Sequence, residues 1–459
     1  MLTRRALLQL AAAAVPGLLV GCGAGFDPDA VPESITRFPR TPMSGDVTST
    51  RAVLTFHVAD DTPVVLRVWT GEEVVLDSAI EPNGDGFHKV MVDDLVPGTE
   101  YHYAVFSGKP RRFEERSLIG RFRTWPSEDT REPVSIALLA CVGQGTILPD
   151  YYYPEGMPVP TTEPIQWEVF THAREHDLDA VVHLGDQAYL DYVWELQDGT
   201  VEAYLNAWGA FHGGGYRDIY PLAPLYATWD DHEATDNSDF DPWDTTPEID
   251  AKVANAQEAW YRVMPIDAMT PSEAPVWRSF RFGGTVELVL LDCRYELQED
   301  HLMSTAQLDF LLDRIESSPC RFVCVATPRP FANITSDPAL AADNQDRWEA
   351  YTADRGRVTA LLDALDARNV VFVAGDLHMN YLGRVSLEGD APSQDAWEVC
   401  VTSGNVNPLA GGLSREQFEL VDTRPHLPIL TFDPDAGTIH VAFYARDGSL
   451  TFERTLDDV

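Results

Sequence analysis

Basic residues are scarce in this chain. It holds 33 Lys and Arg against 73 Asp and Glu, so its formal net charge is −40 and its pI is near 4.4. A surface this negative repels phosphate backbones, which argues against a nucleic-acid-binding surface. It also repels any small phosphate at long range, so a phosphate site here needs local positive charge such as metal ions. A salty or cation-rich habitat would favour the same acidity. Cysteine is sparse too. The six present, Cys22, Cys141, Cys293, Cys320, Cys324 and Cys400, do not make a dense disulfide framework. Buried free thiols are the expectation for the last four. Past the N-terminus there is no apolar run long enough to span a bilayer. There is no P-loop, no dinucleotide-binding Gly motif and no Ser nucleophile elbow. His172 and His176 stand at i, i+4 but lack the acidic residue of a zincin helix, so surface positions are expected. His183, inside an apolar run, reads as a packed core residue.

What is present begins at the N-terminus. Thr3-Arg4-Arg5-Ala6-Leu7-Leu8 puts paired arginines ahead of an apolar run over residues 6–20. The run is shorter than the ~20 residues of a bilayer span and fits the apolar region of an export signal. Paired arginines suggest the twin-arginine route, which carries folded cargo. Leu19-Val20-Gly21-Cys22 resembles a lipobox, in which the Cys is acylated and becomes the mature N-terminus. Ordinary signal-peptidase cleavage is the alternative. Residues 1–22 are therefore expected to be a lipoprotein signal, with membrane attachment through lipidated Cys22 on the periplasmic or cell-surface side. Gly23 after it favours an outer-membrane destination where the cell has one. Residues 23–40, rich in Pro and Asp, read as a tether.

Residues 41–126 alternate in short apolar–polar runs at 52–56, 64–69 and 101–106. Turn residues separate them, as in Asn83-Gly84-Asp85-Gly86 and Pro97-Gly98. The pattern predicts a small antiparallel β-sandwich, and the stretch 95–103 looks like a fibronectin type III strand. Its tyrosines are expected to be structural. Trp125-Pro126-Ser127-Glu128-Asp129 reads as a linker. From about 133 apolar strands alternate with helical segments, which predicts an α/β domain over 133–459. Strands are expected at 134–140, 180–184, 222–229, 286–291, 322–326, 370–374 and 399–403. Helical periodicity covers 167–176, 305–315 and 355–368. Residues 427–459 return to hairpins around the turn Asp433-Pro434-Asp435-Ala436-Gly437.

Four polar clusters stand just after predicted strands, where open α/β sheets place ligands. They are Ala140-Cys141, His183-Leu184-Gly185-Asp186-Gln187-Ala188-Tyr189, Trp229-Asp230-Asp231-His232-Glu233 with Asp236-Asn237, and Ala374-Gly375-Asp376-Leu377-His378. Each alone has a bland reading as loop, buried thiol or helix cap. Together they bring Asp, Tyr, Cys and His to one sheet edge. Clustered carboxylates in a cleft are costly unless cations offset them. Carboxylate and phenolate oxygens with a thiolate suit a hard ferric ion. Asp and Asn oxygens suit calcium, or zinc where His joins.

Gly-Asp-x-x-Tyr, Asp-Asp-His-Glu and Gly-Asp-x-His occur in this order, supported by the stretch 117–124, Tyr216-Arg217-Asp218-Ile219-Tyr220, Leu291-Asp292-Cys293-Arg294, 307–312 and Trp348-x-x-Tyr351-x-x-x-Arg355. On these motifs residues 41–455 resemble the PhoD-type alkaline phosphatases, a branch of the calcineurin-like metallophosphoesterases. The resemblance implies a four-layer α/β sandwich preceded by a small all-β, fibronectin III-like sandwich. It implies hydrolysis of phosphomonoesters or phosphodiesters by a metal-bound hydroxide at a dinuclear Fe3+/Ca2+ site, the second ion being replaceable by Zn2+ or Mn2+. Asp186 would bridge the metals. Cys141, Tyr189 and His378 would complete the ferric site, and Asp231 and Asp376, with Asn237, the calcium site. His232 would protonate the leaving oxygen or grip phosphate, Asp230 and Glu233 would orient their loop, and Arg294 would bind phosphate or serve as an ion-pair partner. Metal-bound water deprotonates near neutral pH, so no covalent phosphoenzyme is required.

The chain departs from the family pattern at Ala140-Cys141-Val142-Gly143-Gln144, where Ser-Cys-Gln is usual. Asp236-Asn237 replaces Asn-Asn, and Leu190-Asp191 follows Tyr189 in place of the common Glu. The stretch 145–164, with Tyr151-Tyr152-Tyr153-Pro154, reads as a substrate-lining insertion or a surface loop. A narrower diesterase of lipid headgroups or teichoic-acid-like polymers is the enzymatic alternative. A surface adhesion lipoprotein with structural metals is the non-enzymatic one.

Overall fold

The computed structural model describes residues 26–110, 112–142, 168–190, 199–235, 243, 245–334, 347–386, 391–404, 416–457 and 459. Cys22, Asn237 and the tyrosine run at 151–153 lie outside the described residues. Among those described, no helix is long and apolar enough to cross a membrane.

Two large mixed sheets face each other. The first has nine strands, in the order Leu450–Leu456, Thr438–Tyr444, Leu427–Asp433, Val134–Leu139, Ala180–His183, Leu225–Ala227, Met43–Gly45, Ala52–His57 and Phe87–Val92. The second has seven, in the order Arg278–Phe282, Val286–Leu290, Phe322–Thr327, Val370–Ala374, Trp397–Cys400, Asn380–Arg384 and Phe418–Asp422. Within each, the central strands run parallel. Such strands are covered on both faces, so they read as continuous apolar runs.

Alternation along each strand sorts its side chains into layers. Ile136, Leu138, Val182 and Leu184 meet Leu288, Leu290, Val371 and Val373 between the sheets. The outward residues Ala137, Leu139, Val181 and Leu225 pack on Trp208 and Trp260. These tryptophans come from the helices Val201–His212 and Pro247–Val263, two elements the sequence reading omitted. On the far side Val289, Val323, Val325 and Phe372 pack on Leu308, Leu311, Val358 and Leu362, from the helices Thr305–Ser317 and Thr352–Leu365. The result is a helix–sheet–sheet–helix sandwich. The helix expected over 167–176 is shorter, Glu168–Thr171 followed by the 3₁₀ turn Ala173–Glu175. His172 therefore pairs with Glu175 at 2.8 Å, while His176 lies against the ring of Tyr444. The strand expected at 399–403 runs instead over Trp397–Cys400.

The front strands divide between two sheets. Met43–Gly45, Ala52–His57 and Phe87–Val92 extend the nine-stranded sheet, through parallel pairing of Gly45 with Leu225. A Cβ on Gly45 would stand 2.4 Å from the Leu225 carbonyl oxygen, so this joint requires glycine. Glu73–Ile80, Val64–Thr70, Glu100–Lys109 and Arg112–Arg116 form a separate sheet with Gly120–Arg123. Leu66, Val68, Tyr101, Val105 and Trp125 share one continuous core with the inter-sheet layer. Trp125, in the stretch read as a linker, is buried. It stacks on Phe282 at 3.8 Å and donates its indole N–H to Tyr226 at 2.7 Å. Residues 28–34, in the stretch read as a tether, are held by Arg116, which exchanges backbone bonds with Pro32 and Ser34 at 2.9 Å.

Arg278, on the edge of the seven-stranded sheet, joins the parts. It pairs with Asp46 at 2.8 Å and donates to the carbonyls of Ala227 and Val276. Asp46 is 3% exposed and also accepts the Asp267 amide. Asp46 has a positive φ of 42°, which Asn tolerates, so Asp46→Asn removes the charge while keeping the shape. It leaves Arg278 partly buried without its counter-ion, and the expected loss is about 3 kcal/mol, read as a fall in the urea midpoint at unchanged slope.

Candidate metal centre

The carboxyl ends of parallel strands from both sheets face one another. Cys141 follows Val134–Leu139, Asp186 and Tyr189 follow Ala180–His183, and Asp230 to Glu233 follow Leu225–Ala227. Arg294 follows Val286–Leu290, and Asp376 and His378 follow Val370–Ala374. Every site residue expected from sequence is brought here except Asn237, which is not described.

The loops are threaded through one another by backbone bonds. Cys141 N–H reaches Gly185 O at 3.3 Å, Val142 N–H reaches Asp186 O at 3.0 Å, and Ser403 N–H reaches Ala140 O at 2.9 Å. Gly185 has φ +106°, and a Cβ there would lie 2.5 Å from the Asp230 amide nitrogen. The glycine of Gly-Asp-x-x-Tyr thus lets the second and third loops touch. Seven described non-glycine residues have positive φ, and four of them are Cys141 (49°), Asp186 (55°), Asp376 (67°) and His378 (53°). Asp and His tolerate this region better than most residues, Cys does not. Such strain costs of order 1–3 kcal/mol per residue and persists where the surroundings over-determine it.

Three sets of side chains put ligand atoms within 4.8 Å of one another: Cys141, Asp186 and His378; Asp186, Asp231 and His232; Asp230, Asp231 and Asp376. Asp186 belongs to the first two. Tyr189 completes the first, its hydroxyl 2.6 Å from His378 Nε2 and 3.2 Å from Asp186 Oδ2. Its ring stacks on His232 at 3.9 Å. His232 Nε2 lies 3.7 Å from Asp231 Oδ2. Arg294, 1% exposed, donates Nε to Asp230 and Nη2 to Asp231 at 3.2 Å and Asp376 at 3.4 Å. Of its two expected roles it therefore takes that of ion-pair partner in this geometry.

Burial sets the electrostatics. It pushes Asp186 well up, with Asp231 and Asp230 adding to the rise and His232 opposing it. Burial also raises Asp230, against the pull of Arg294. At Asp231 the same burial is outweighed by Arg294 and His232, and the carboxyl is held below its ordinary range. Burial, then Asp186 and Asp376, raise the Cys141 thiol, and burial lowers His378 to about 4. Without further positive charge, this cluster resists full ionisation. Asp186 Oδ1 and Asp230 Oδ2 are buried with no hydrogen-bond partner among the described residues, an arrangement that bound cations would complete.

Sequence reasoning missed several supporting residues. Glu233 was assigned only an orienting role, but its carboxylate accepts the amides of Asp186 (3.1 Å), Gln187 (2.7 Å) and Asp230 (2.9 Å) and so clamps two ligand loops. Burial still carries it up to about 8. Gln187 is gripped from behind, its carbonyl by Tyr216 at 2.7 Å and its side chain by Tyr220 at 2.9 Å. The two tyrosine rings stack at 4.3 Å, and Tyr216 also meets His183 at 3.1 Å. These tyrosines were quoted as a motif without a role. Arg329 is 1% exposed and its charge favours ionised Asp230 and Asp231. Its signal was a basic residue set between prolines directly after an apolar strand.

Comparison with known proteins agrees with this geometry. Residues 162–443 match the family described as PhoD-like phosphatase. Alkaline phosphatase D of Bacillus subtilis (strain 168) is 22% identical over 438 residues, taking in 85% of this chain and 70% of that protein. A solved structure of PhoD aligns with a TM-score of 0.72 at 20% identity, over 92% of both chains. Purple acid phosphatase PPD1 from yellow lupin (Lupinus luteus) seeds aligns with a TM-score of 0.61 at 12% identity, over 91% of this chain and 74% of that one. At these identities the two structures speak for the fold alone.

The two-sheet sandwich with acidic loops at its strand ends thus has the fold of these two phosphatases. The chain belongs to the PhoD-like phosphatase family, and it is a phosphoric ester hydrolase acting on phosphate esters.

Replacing Glu233 by Gln exchanges one acceptor oxygen for a donor that faces backbone N–H groups. At least one buried amide then loses its partner, at about 1–3 kcal/mol. Glu233→Gln should lower the denaturation midpoint and weaken metal uptake in calorimetric titration; unchanged uptake would show that the clamp is not needed for the site.

Proposed function

We propose that this chain is an exported phosphomonoesterase and phosphodiesterase whose site holds a ferric ion and a calcium ion, the second replaceable by zinc or manganese. The observation that carries this reading is the carboxylate of Asp186, which lies in both the Cys141–His378 and the Asp231–His232 clusters and has a buried oxygen without a hydrogen bond among the described residues. Cys141, Tyr189 and His378 would hold the ferric ion with Asp186. Asp231 and Asp376, with Asn237, would hold the calcium. The donor set fits: thiolate, phenolate, imidazole and carboxylate on one side, oxygens alone on the other.

Bound cations would supply Lewis acidity toward the phosphoryl oxygens and an activated water. The remaining work falls to side chains. His232, fixed between the Tyr189 ring and the Asp231 carboxylate, is placed to hold a proton for the leaving oxygen. Arg294 ties Asp230, Asp231 and Asp376 into one rigid unit and keeps their charge from rising unopposed as phosphate approaches. Water attack on phosphorus and cleavage of the ester P–O bond then give an alcohol and a phosphate, or a monoester from a diester.

Release of p-nitrophenol from mono- and bis-nitrophenyl phosphate is the direct assay. Asp186→Asn should reduce both rates at least a thousandfold, because it removes the bridging charge on which both metals depend. Metal analysis should find iron plus a divalent ion in the parent and neither in the variant. A folded variant that retains iron and turnover would refute the bridging role. Chelator treatment should abolish both activities.

The export reading is part of the same proposal. Residues 1–22 serve as a twin-arginine lipoprotein signal, and lipidated Cys22 attaches the protein to a membrane. The front strands are read as a fibronectin III-like sandwich, one of whose sheets continues into the nine-stranded sheet. Cys22→Ser should move the protein from the membrane to the soluble exported fraction, and changing Arg4 and Arg5 to Lys should retain it inside the cell. Unchanged fractionation in both variants would end the export reading.

A further inference from the structure

One short segment lies against both sheets beside the metal centre. Residues 401–404 leave the strand Trp397–Cys400 of the seven-stranded sheet. Val401 N–H bonds Ala374 O at 2.9 Å, at the end of the strand that leads to Asp376 and His378. Two residues on, Ser403 N–H bonds Ala140 O at 2.9 Å. Ala140 follows a strand of the nine-stranded sheet and directly precedes Cys141. Gly404 then passes so near the first loop that a Cβ on it would overlap the Val142 carbonyl oxygen. The segment therefore touches the Cys141 loop on one side and the strand before His378 on the other.

Asn380 fastens the residue between those two contacts. It is 0% exposed and opens the strand Asn380–Arg384, two residues after His378. Its Oδ1 accepts the Thr402 N–H at 3.1 Å. Its Nδ2 donates to Arg424 O at 2.7 Å and lies 3.4 Å from Thr402 O and 3.5 Å from Asp422 O. Thr402 O also accepts the His426 N–H at 3.1 Å. A buried side chain that faces an N–H with one atom and carbonyls with another needs an acceptor and a donor. A neutral amide offers both and adds no charge. The resulting path runs from Cys141 through Ala140, Ser403, Thr402 and Asn380 to His378. Both of its ends are strained, Cys141 at φ 49° and His378 at φ 53°. Such conformations persist only where the surroundings over-determine them.

We propose that Asn380 is a positioning residue for the metal centre. By holding Thr402 it sets the Cys141 loop against the His378 loop, so that the iron-side ligands stand in place before a metal arrives. This rests on the ferric reading of Cys141, Asp186, Tyr189 and His378. Asn380 acts through Thr402 and Ser403 and bonds neither metal nor substrate. The divalent side has its own tie, since Arg294 bonds both Asp231 and Asp376. Loss of the Asn380 amide should therefore loosen the iron side selectively.

The test compares the full chain with Asn380→Ala, and uses Asp46→Asn as a variant destabilised outside the metal centre. Iron and calcium content, iron release to a chelator, visible absorption of the ferric phenolate and the urea midpoint are measured on each. Asn380→Ala should release iron about tenfold more readily, the low end of what loss of a ligand-supporting group costs. It should retain calcium and show altered absorption per bound iron. Asp46→Asn should lower the midpoint and leave iron release and absorption unchanged. Asn380→Ser, whose hydroxyl can keep one of the bonds, carries the same comparison with a smaller effect if Asn380→Ala does not fold. Unchanged iron release and absorption in the Asn380 variants overturn the proposal while the ferric reading stands. Loss of both metals in proportion to the fall in midpoint also overturns it, and leaves Asn380 with a role in fold stability alone. A parent protein that carries no iron and no visible absorption overturns the ferric reading, and the proposal with it.

Discussion

Asp186, Asp230, Asp231 and Glu233 are each about 1% exposed, and Asp376 lies beside them, so five carboxyls share one desolvated volume. Two like charges 4 Å apart repel by about 4 kcal/mol at an effective dielectric of 20. The surroundings answer this in three ways. Arg294 bonds three of the carboxyls directly, and Arg329 adds charge nearby. Three amides converge on Glu233. Asp186 Oδ1 and Asp230 Oδ2, which have no hydrogen-bond partner among the described residues, are the oxygens that cations would satisfy. Burial and the neighbouring carboxylates push the Asp186 carboxyl well up, a disfavoured charge that bound cations would offset.

That constraint explains the architecture around it. Site residues held in left-handed backbone conformations need a frame that cannot relax. The frame is two sheets whose parallel strands end at the same place, with helices closing both outer faces. The tyrosine pair behind Gln187 extends this rigidity one layer outward. It reaches the Asp186 carboxylate only through Gln187 and the backbone of Asp186, so it positions and does not react. A clamp made of hydroxyls and amides also adds no charge to a place already short of positive charge.

The central strands and the convergence of the acidic, thiol and imidazole side chains were legible because burial on both faces writes unbroken apolar runs, and because the polar motifs sit immediately after them. The run at 370–374 is a strand with those bounds. Pro247–Val263 was missed although Thr246 and Pro247 form a standard start. Its buried residues begin only at Ala256, so half the helix has no apolar stripe to count. Joining the front strands to the main sheet could not be read at all. It depends on Gly45 meeting Leu225, a contact 180 residues apart that leaves no local pattern beyond one permissive glycine. Arg294 was legible as a charged strand end, but its three partners were not, since they come from two other loops.

The global charge and the site's chemistry pull in opposite directions, and range decides between them. At physiological ionic strength exposed charges are screened beyond about 8 Å, so most of the −40 is invisible to a phosphate ester inside the cleft. Closer to the cluster stand Arg294 and Arg329, each 1% exposed, and His232, and cations held by the carboxylates would add to them. Buried pairs are screened far less than surface ones, so these inner charges keep their strength in salt while the outer repulsion fades. An acidic exterior is therefore compatible with an anionic substrate, provided positive charge is placed deep and held rigidly, as Arg294 is by its bonds to Asp230, Asp231 and Asp376.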